Sequence, residues 1–140
     1  MSIKLSNIYH TYSKGTPFER LALNDVSLEI SKGEIVAIIG HTGSGKSTLV
    51  QHLNGLLKPD KGSASIDGID ITAKGAEAKT ARQQVGMVFQ SFNLFAHKTI
   101  LDNVTIAPID VLGKSKKEAR AEAMELLKRV GVDSQAAKVP

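Results

Sequence analysis

The amino-acid sequence predicts an α/β fold, and three consecutive features of its first 60 residues support that prediction. Residues 35–39 are apolar without interruption and mostly β-branched, which is typical of a strand buried on both faces. A glycine-containing loop, residues 40–45, follows directly. A helix is then expected from Lys46, with its end at Lys58-Pro59-Asp60. Its apolar face would be formed by Leu49, Val50, Leu53, Leu56 and Leu57.

Further strands are predicted on both sides of this unit. Apolar residues at positions 3, 5 and 8 indicate a first strand, and residues 21–30 alternate well enough to indicate a second. Residues 62–71 are typical of a hairpin around an Asp67-Gly68 turn. Residues 85–89 are a further candidate for a buried strand. We therefore expect a mixed sheet whose N-terminal portion is antiparallel.

The last third of the chain contains one predicted helix. Ser115 and Glu118 have the spacing of a capping box, and Gly131 suits a helix stop. Between them, one face is expected to be apolar through Ala119, Ala123, Leu126, Leu127 and Val130. We divide the single expected domain into a β-rich core with the glycine loop, residues 1–90, and a second part, residues 91–140, that begins a helical subdomain.

Composition limits the classes of protein that fit. The chain has 140 residues, 41% of them hydrophobic and 23% charged, which is typical of one globular domain. The net charge of +4 comes without a long Lys/Arg run, so nucleic acid is not an expected partner. There is no cysteine for a disulfide or thiolate metal site. The run at residues 35–39 is far shorter than the ~20 apolar residues that span a bilayer, so we expect any membrane role to require a partner.

The motif that carries chemistry is the phosphate-binding pattern G-x-x-x-x-G-K-[ST]. It is matched at every defined position by Gly40, His41, Thr42, Gly43, Ser44, Gly45, Lys46 and Ser47. Glycines let consecutive backbone N–H groups point into one concavity, and the helix that follows adds its positive end. Lys46 would place a charge on the distal phosphates, and the Ser47 hydroxyl suits Mg²⁺. A purely structural glycine turn is disfavoured because a buried-strand pattern precedes the loop and a helix pattern follows it.

The flanking residues resemble those of ATP-binding cassette (ABC) transporter ATPases. Residues 23–30 with Lys32-Gly33-Glu34 are similar to that family's lead-in to the phosphate loop. Residues 85–90, Val-Gly-Met-Val-Phe-Gln, resemble its strand and Q-loop. The three motifs occur in the family's order, and the resemblance runs from Ile3 to Pro140.

The resemblance implies ATP and Mg²⁺ as the bound groups, with roles for individual residues. Tyr12 would stack on adenine; a tyrosine that packs at the strand end is the alternative. Gln90 would reach Mg²⁺ and the attacking water, so Lys46 and Gln90 are the catalytic candidates and Ser47 and Gln90 the metal candidates. Thr48 joins the nucleotide-binding set, and His41 is expected to neighbour the phosphates without acting as a base.

The function implied by the resemblance is the energising of membrane transport. ATP binding and hydrolysis would close a homo- or heterodimer of ATPase subunits on a transmembrane subunit, at the cytoplasmic face of the membrane. The Gln90–Phe95 region would contact that subunit. Phe92, Leu94 and Phe95 have two equal interpretations, a contact surface for the membrane partner or the core of the helical subdomain.

Two subfamilies are indicated by different stretches. Residues 12–19, 41–44 and 51–56 resemble energy-coupling factor ATPases, which power the uptake of vitamins or metal ions. Three other stretches are closer to polar amino-acid importers, namely residues 90–95, 102–104 and 125–131. We favour the first subfamily because its stretches are more distinctive, while a mosaic sequence stays open.

Hydrolysis in this family uses parts that these 140 residues do not contain. They are the LSGGQ signature, an apolar strand that ends in Asp-Glu, and a switch histidine. We expect the chain to be the N-terminal piece of a protein nearly twice as long, to bind ATP without hydrolysing it, and to have an incomplete sheet with an open apolar edge. A P-loop kinase or GTPase is a rival, but an acceptor site and Asn-Lys-x-Asp are both missing. A non-catalytic nucleotide-binding module is the second rival.

Overall fold

The computed structural model describes residues 1–140, which form two compact units, Met1–Met87 and Val88–Pro140. The first unit contains a four-stranded sheet and two helices, and the second contains two helices and a 3₁₀ turn. None of the helices has both the length and the apolar character needed to cross a membrane.

The sheet of the first unit is antiparallel and open. Its strands are β1 Ile3–Tyr12, β2 Arg20–Ile30, β3 Lys61–Ile66 and β4 Ile69–Asp70, in the spatial order β2-β1-β3-β4. The register places Tyr12 opposite Arg20 at one end of the β1–β2 ribbon, and Ile3 opposite Ile66 across β1 and β3. The predicted N-terminal strands and the hairpin at Asp67-Gly68 are confirmed, as are the α/β class and an incomplete sheet.

Two predicted strands are wrong. Residues 35–39 and 85–89 have extended-strand sequences but no strand hydrogen bonding, so the sheet is antiparallel throughout instead of mixed. A strand persists only when a neighbouring backbone satisfies its N–H and C=O groups, and neither segment pairs with one. Ile35 is consequently 98% exposed, Ile39 93% and Val88 90%.

One face of the sheet is covered by the helices α1 Lys46–Leu53 and α2 Ala76–Gln83. Leu53 and Ala81 bring these helices onto the sheet, where burial of apolar area supplies the main stabilisation. The buried core that they complete contains Leu5, Ile8, Leu23, Ala64, Ile66 and Ile71. α1 begins at Lys46 as predicted, because this core fixes its first turns beside β1 and β2.

The predicted extension of α1 to Leu57 is wrong. Asn54 caps the helix, and its side-chain oxygen accepts a hydrogen bond from the Leu56 N–H at 3.0 Å. Gly55 then takes φ 72°, a left-handed conformation that ends a helix. Leu56, expected on the apolar face, is 58% exposed as a result.

The second unit is built on α3 Ile100–Asp110, α4 Lys116–Arg129 and a 3₁₀ turn at Asp133–Gln135. The capping prediction is confirmed, since the Ser115 hydroxyl accepts from the Glu118 N–H at 3.2 Å. Ala119, Ala123 and Leu127 are buried as expected, at i, i+4 and i+8. Leu126 and Val130 were wrongly assigned to this face; they are exposed, because they lie to one side of that narrow stripe.

Candidate functional site

The glycine-rich loop of residues 40–45 lies in the first unit and leads directly into α1. Gly43 and Gly45 have φ of 81° and 91°, a region that side chains disfavour. A Cβ at Gly45 would lie 2.6 Å from the Ala22 carbonyl oxygen, and one at Gly40 would lie 2.7 Å from the Ser44 hydroxyl. The loop therefore runs too close to β2 and to itself for larger residues.

The Lys46 side chain folds back onto this loop. Its Nζ donates hydrogen bonds to the carbonyl oxygens of Gly40 at 2.7 Å and His41 at 2.8 Å. The Ser44 N–H donates to the same His41 oxygen at 3.2 Å, while the His41 and Thr42 side chains are exposed. The charge is thus held at the concave side of the loop, beside the N-terminus of α1.

A cavity of about 170 Å³ opens beside the loop. It is lined by Tyr12, Arg20, Ala22, Gly43, Gly45, Lys46, Ser47 and Thr48. Two of these residues are cations and none is a carboxylate, so the lining suits an anionic ligand. Tyr12 is thereby brought together with Lys46, Ser47 and Thr48, although it is more than 30 positions away from them in the sequence.

The Tyr12 side chain is 40% exposed, and two contacts fix its orientation. Its hydroxyl lies 3.1 Å from the Thr48 hydroxyl in the first turn of α1. The His10 ring meets the Tyr12 ring edge to face, with centroids 4.7 Å apart. The hydroxyl is therefore engaged with α1, while part of the ring stays accessible at the cavity.

A second histidine, His52, supports this arrangement from inside the unit. It is fully buried, and its Nδ1 lies 2.7 Å from the Thr48 carbonyl oxygen, which requires Nδ1 to carry the proton. Its ring packs against His10 with centroids 4.9 Å apart. Burial away from water lowers the pKa of His52, although the bond to Thr48 opposes that shift.

Gln90 and the apolar residues that follow it belong to the second unit. Gln90 is an exposed turn residue, and Phe92, Leu94 and Phe95 are 76%, 54% and 46% exposed. They are not part of the buried core of this unit, which centres on Leu101, Ala123, Leu127 and Ala136. Of the two interpretations given for these three residues, packing in the helical core is therefore wrong.

Sequence reasoning missed three residues at or behind the cavity: Arg20, His10 and His52. Two signals could have found the histidines. His10 lies two positions before Tyr12 on the same strand face, and His52 lies one helical turn after Thr48. The described chain contains no group of three or more His, Cys, Asp or Glu residues that could hold a metal ion.

Comparison with known proteins agrees with this geometry. Residues 23–140 match the protein family described as ABC transporter. The chain is 47% identical over 135 residues to the energy-coupling factor transporter ATP-binding protein EcfA2 of Clostridium tetani, covering 95% of this chain and 46% of that protein. It is 50% identical over 119 residues to the glutamate transport ATP-binding protein GluA of Corynebacterium glutamicum, covering 85% of this chain and 49% of that protein.

A solved structure of the ATP-binding cassette MJ0796, a dimeric post-hydrolysis state bound to ADP and Pi, superimposes with a TM-score of 0.86. Its identity to this chain is 36%, and the match covers 99% of this chain and 61% of that one. The chain spans about half the length of the curated relatives it matches, 46% and 49% for the two above.

A glycine-rich phosphate loop of the pattern G-x-x-x-x-G-K-[ST], leading into the N-terminus of a helix, defines the class of P-loop nucleotide-binding proteins. Within that class, the chain belongs to the ABC transporter ATPase family.

Proposed function

We propose that this chain supplies the ATP-binding site of an ATPase that energises membrane transport. The observation that carries the proposal is the cavity that Tyr12, Lys46 and Ser47 line together. An aromatic face, a cation and a hard oxygen ligand are the three groups that a nucleoside triphosphate with Mg²⁺ requires. The family membership supports the same ligand.

The triphosphate would lie along the loop. The N–H groups of Gly43, Ser44 and Gly45 lead into the N-terminus of α1, where partial positive charge favours anions. Lys46 would exchange its bonds to loop carbonyls for bonds to the β- and γ-phosphates, and Ser47 would hold Mg²⁺. The metal ion neutralises phosphate charge when bound. Gly40, His41 and Thr42 would frame the distal end of the loop.

Adenine would rest on the Tyr12 ring. Thr48 contacts the Tyr12 hydroxyl and holds the ring in one orientation. Less side-chain entropy is therefore lost when the base binds. Thr48 thereby belongs to the nucleotide-binding set through Tyr12. Gln90, an exposed turn residue, would be the second metal contact and, with Lys46, a catalytic group.

Hydrolysis would require more than these residues supply. The 140 residues contain no LSGGQ sequence and no apolar strand that ends in Asp-Glu. Groups aimed at the transition state, and a general base in particular, are what such elements provide. We expect the 140-residue chain alone to bind MgATP without turning it over.

The partners that we propose are a second ATPase subunit and a transmembrane subunit, with this chain at the cytoplasmic face of the membrane. The solved dimer of an ABC cassette supports the first. Phe92, Leu94 and Phe95 would contact the transmembrane subunit, because an exposed apolar cluster is suited to burial against another protein.

The transport system that we favour is the energy-coupling factor type, which takes up vitamins or metal ions. Relatives named EcfA2 match about 95% of the chain at 44–49% identity, which supports this choice. A polar amino-acid importer is the second candidate. It is favoured by the glutamate transport relative, whose 50% identity is confined to 119 residues.

The proposed site is tested by tyrosine fluorescence, since the chain has two tyrosines and no tryptophan. In a Tyr9→Phe variant, MgATP should quench the remaining emission, because its only tyrosine is Tyr12 at the cavity. In a Tyr12→Phe variant, the emission of Tyr9 should not respond. Quenching that persists after Tyr12→Phe and is lost after Tyr9→Phe would contradict the placement of the base.

A further inference from the structure

Arg20 is a cation of the cavity for which the phosphate-loop motif has no role. It is the first residue of β2, is exposed, and pairs directly opposite Tyr12 in the β1–β2 ribbon. Residues directly opposite each other in an antiparallel pair project from the same face of the sheet. The guanidinium and the tyrosine ring therefore border the same space.

The guanidinium also contacts the phosphate loop itself. Arg20 Nη2 donates a hydrogen bond to the Gly43 carbonyl oxygen at 2.9 Å. A Cβ at Gly43 would lie 3.0 Å from that nitrogen, a tight contact that the end of the arginine side chain would have to relieve by a small shift. This bond uses one of the five N–H donors of arginine, and no carboxylate forms an ion pair with Arg20 in the chain.

The position of Arg20 indicates which part of a nucleotide it would meet. Tyr12, which would carry the base, lies on one side of it, and Gly43 of the loop that leads to Lys46 lies on the other. The part of a nucleotide between the base and the distal phosphates is the ribose with the α-phosphate. A guanidinium suits phosphate because it offers parallel N–H donors and keeps its charge.

We propose that Arg20 is a second cationic contact for the nucleotide, donating to the α-phosphate while its bond to Gly43 holds the loop. The proposal rests on the proposed ATP site. Arg20 would place a positive charge beside the α-phosphate, whereas Lys46 would contact the β- and γ-phosphates. Lys46 and Arg20 are the two positive charges of the cavity lining, which has no acidic residue to offset them.

The test is a ligand series. ATP, ADP, AMP and adenosine, with Mg²⁺, compete against a fluorescent ATP analogue on the 140-residue chain and on Arg20→Ala, Arg20→Lys and Lys46→Ala variants. Arg20→Ala should weaken ATP, ADP and AMP by a similar factor, about tenfold or more for a lost charged hydrogen bond, and leave adenosine unchanged. Arg20→Lys should recover part of that loss, and Lys46→Ala should weaken ATP and ADP far more than AMP.

Arg129→Ala serves as the matched control, because Arg129 is an exposed arginine of α4 in the other unit. Its affinities should equal those of the wild type. Unchanged ATP affinity in Arg20→Ala, alongside a loss in Lys46→Ala, would overturn the role of Arg20 and leave the ATP site intact. An equal loss for adenosine and ATP would also overturn it, since a contact to the α-phosphate cannot weaken the binding of a ligand that has no phosphate. If the wild-type chain binds none of the four, the ATP site fails as well.

Discussion

The Tyr12 hydroxyl lies 3.1 Å from the Thr48 hydroxyl, and this contact ties the end of β1 to the first turn of α1. The helix that follows the phosphate loop therefore also orients the aromatic ring at the cavity. His52 lies one turn further along α1, and its hydrogen bond to the Thr48 carbonyl oxygen helps to fix the position of Thr48. The base-binding residue on β1 and the phosphate-binding residues of the proposed site are thus both fixed by α1.

Substitution of Tyr12 separates stacking from hydrogen bonding. Tyr12→Ala should lower ATP affinity by about 1–3 kcal/mol, the magnitude of base–aromatic stacking. Tyr12→Phe should bind nearly as well as the wild type, because the ring face is kept and only the bond to Thr48 is lost. Calorimetric titration with MgATP measures both. A Phe variant as weak as the Ala variant would show that the hydroxyl matters more than the ring.

Substitution of Gly45 should lower the free energy of unfolding through two separable effects. Gly45→Ala introduces a Cβ at 2.6 Å from the Ala22 carbonyl oxygen as well as a side chain at φ 91°. Gly33→Ala has a similar φ of 82° but open space around the Cβ, so it serves as the matched control for the backbone effect. Strain of this backbone kind costs on the order of 1–3 kcal/mol.

Urea unfolding of the two glycine variants gives the comparison. Gly45→Ala should lower the free energy of unfolding clearly more than Gly33→Ala does, because only the former also displaces β2 backbone. Equal losses would mean that the loop does not pack against β2 as closely as the structure has it.

Acidification should destabilise the first unit through His52. Burial lowers the pKa of this imidazole below its ordinary value of 6.5, so the folded chain binds fewer protons than the unfolded chain in that range. The stability that His52 contributes is complete above pH about 6.5 and is lost as the pH falls through the folded-state pKa. Asp60, Asp67 and Asp70 also have lowered pKa values, from 3.8, so their contributions are lost only in stronger acid.

The pH effect is measured by urea unfolding between about pH 7 and pH 5, the window below the ordinary histidine pKa. His52→Gln should flatten the dependence, and His97→Gln, an exposed histidine of the second unit, should leave it as in the wild type. The groups that face His52 are His10, whose charge lowers its pKa, and Asp60, whose charge raises it. An identical slope in the wild type and His52→Gln would contradict this assignment.

Catalysis should not accompany binding in the 140-residue chain. A phosphate-release assay should give no more than background, because the residues contain no signature sequence and no Asp-Glu strand end. Lys46→Ala provides the control for contaminating ATPases. A Lys46-dependent turnover near the ~1–10³ s⁻¹ of ordinary enzymes would contradict the prediction and point to an unrecognised base such as Asp67 or Asp102.

Elements with local signals were predictable from the sequence. The phosphate loop is specified by residues adjacent in the chain, α4 by the cap at Ser115, and the hairpin by its Asp67-Gly68 turn. The absence of a strand at residues 35–39 was not predictable, because strand formation depends on a partner backbone that sequence pattern cannot supply. α3 was not predicted, and its sequence is an unusual one for a helix, since Pro108 lies inside it.

The candidate site divides in the same way. The loop residues and Tyr12 follow from motif and resemblance, whereas Arg20 joins the site only through the packing of β2. Its side chain reaches Gly43 across the fold, and no spacing in the sequence encodes that contact. His52 is different, because its contact with the Thr48 carbonyl oxygen spans one helical turn, a spacing that the sequence does contain. Residues at an element's end, such as Arg20, have the weakest sequence signal.

The central claim is that MgATP binds at the loop around Lys46, and calorimetric titration of wild type, Lys46→Ala and Lys79→Ala tests it most directly. Lys79 is an exposed lysine of α2 outside the cavity, so its variant controls for loss of charge. We predict that Lys46→Ala weakens MgATP binding at least about tenfold, through the loss of a charge-assisted phosphate contact, while Lys79→Ala binds as the wild type does. Superimposable titration curves for wild type and Lys46→Ala would contradict the claim.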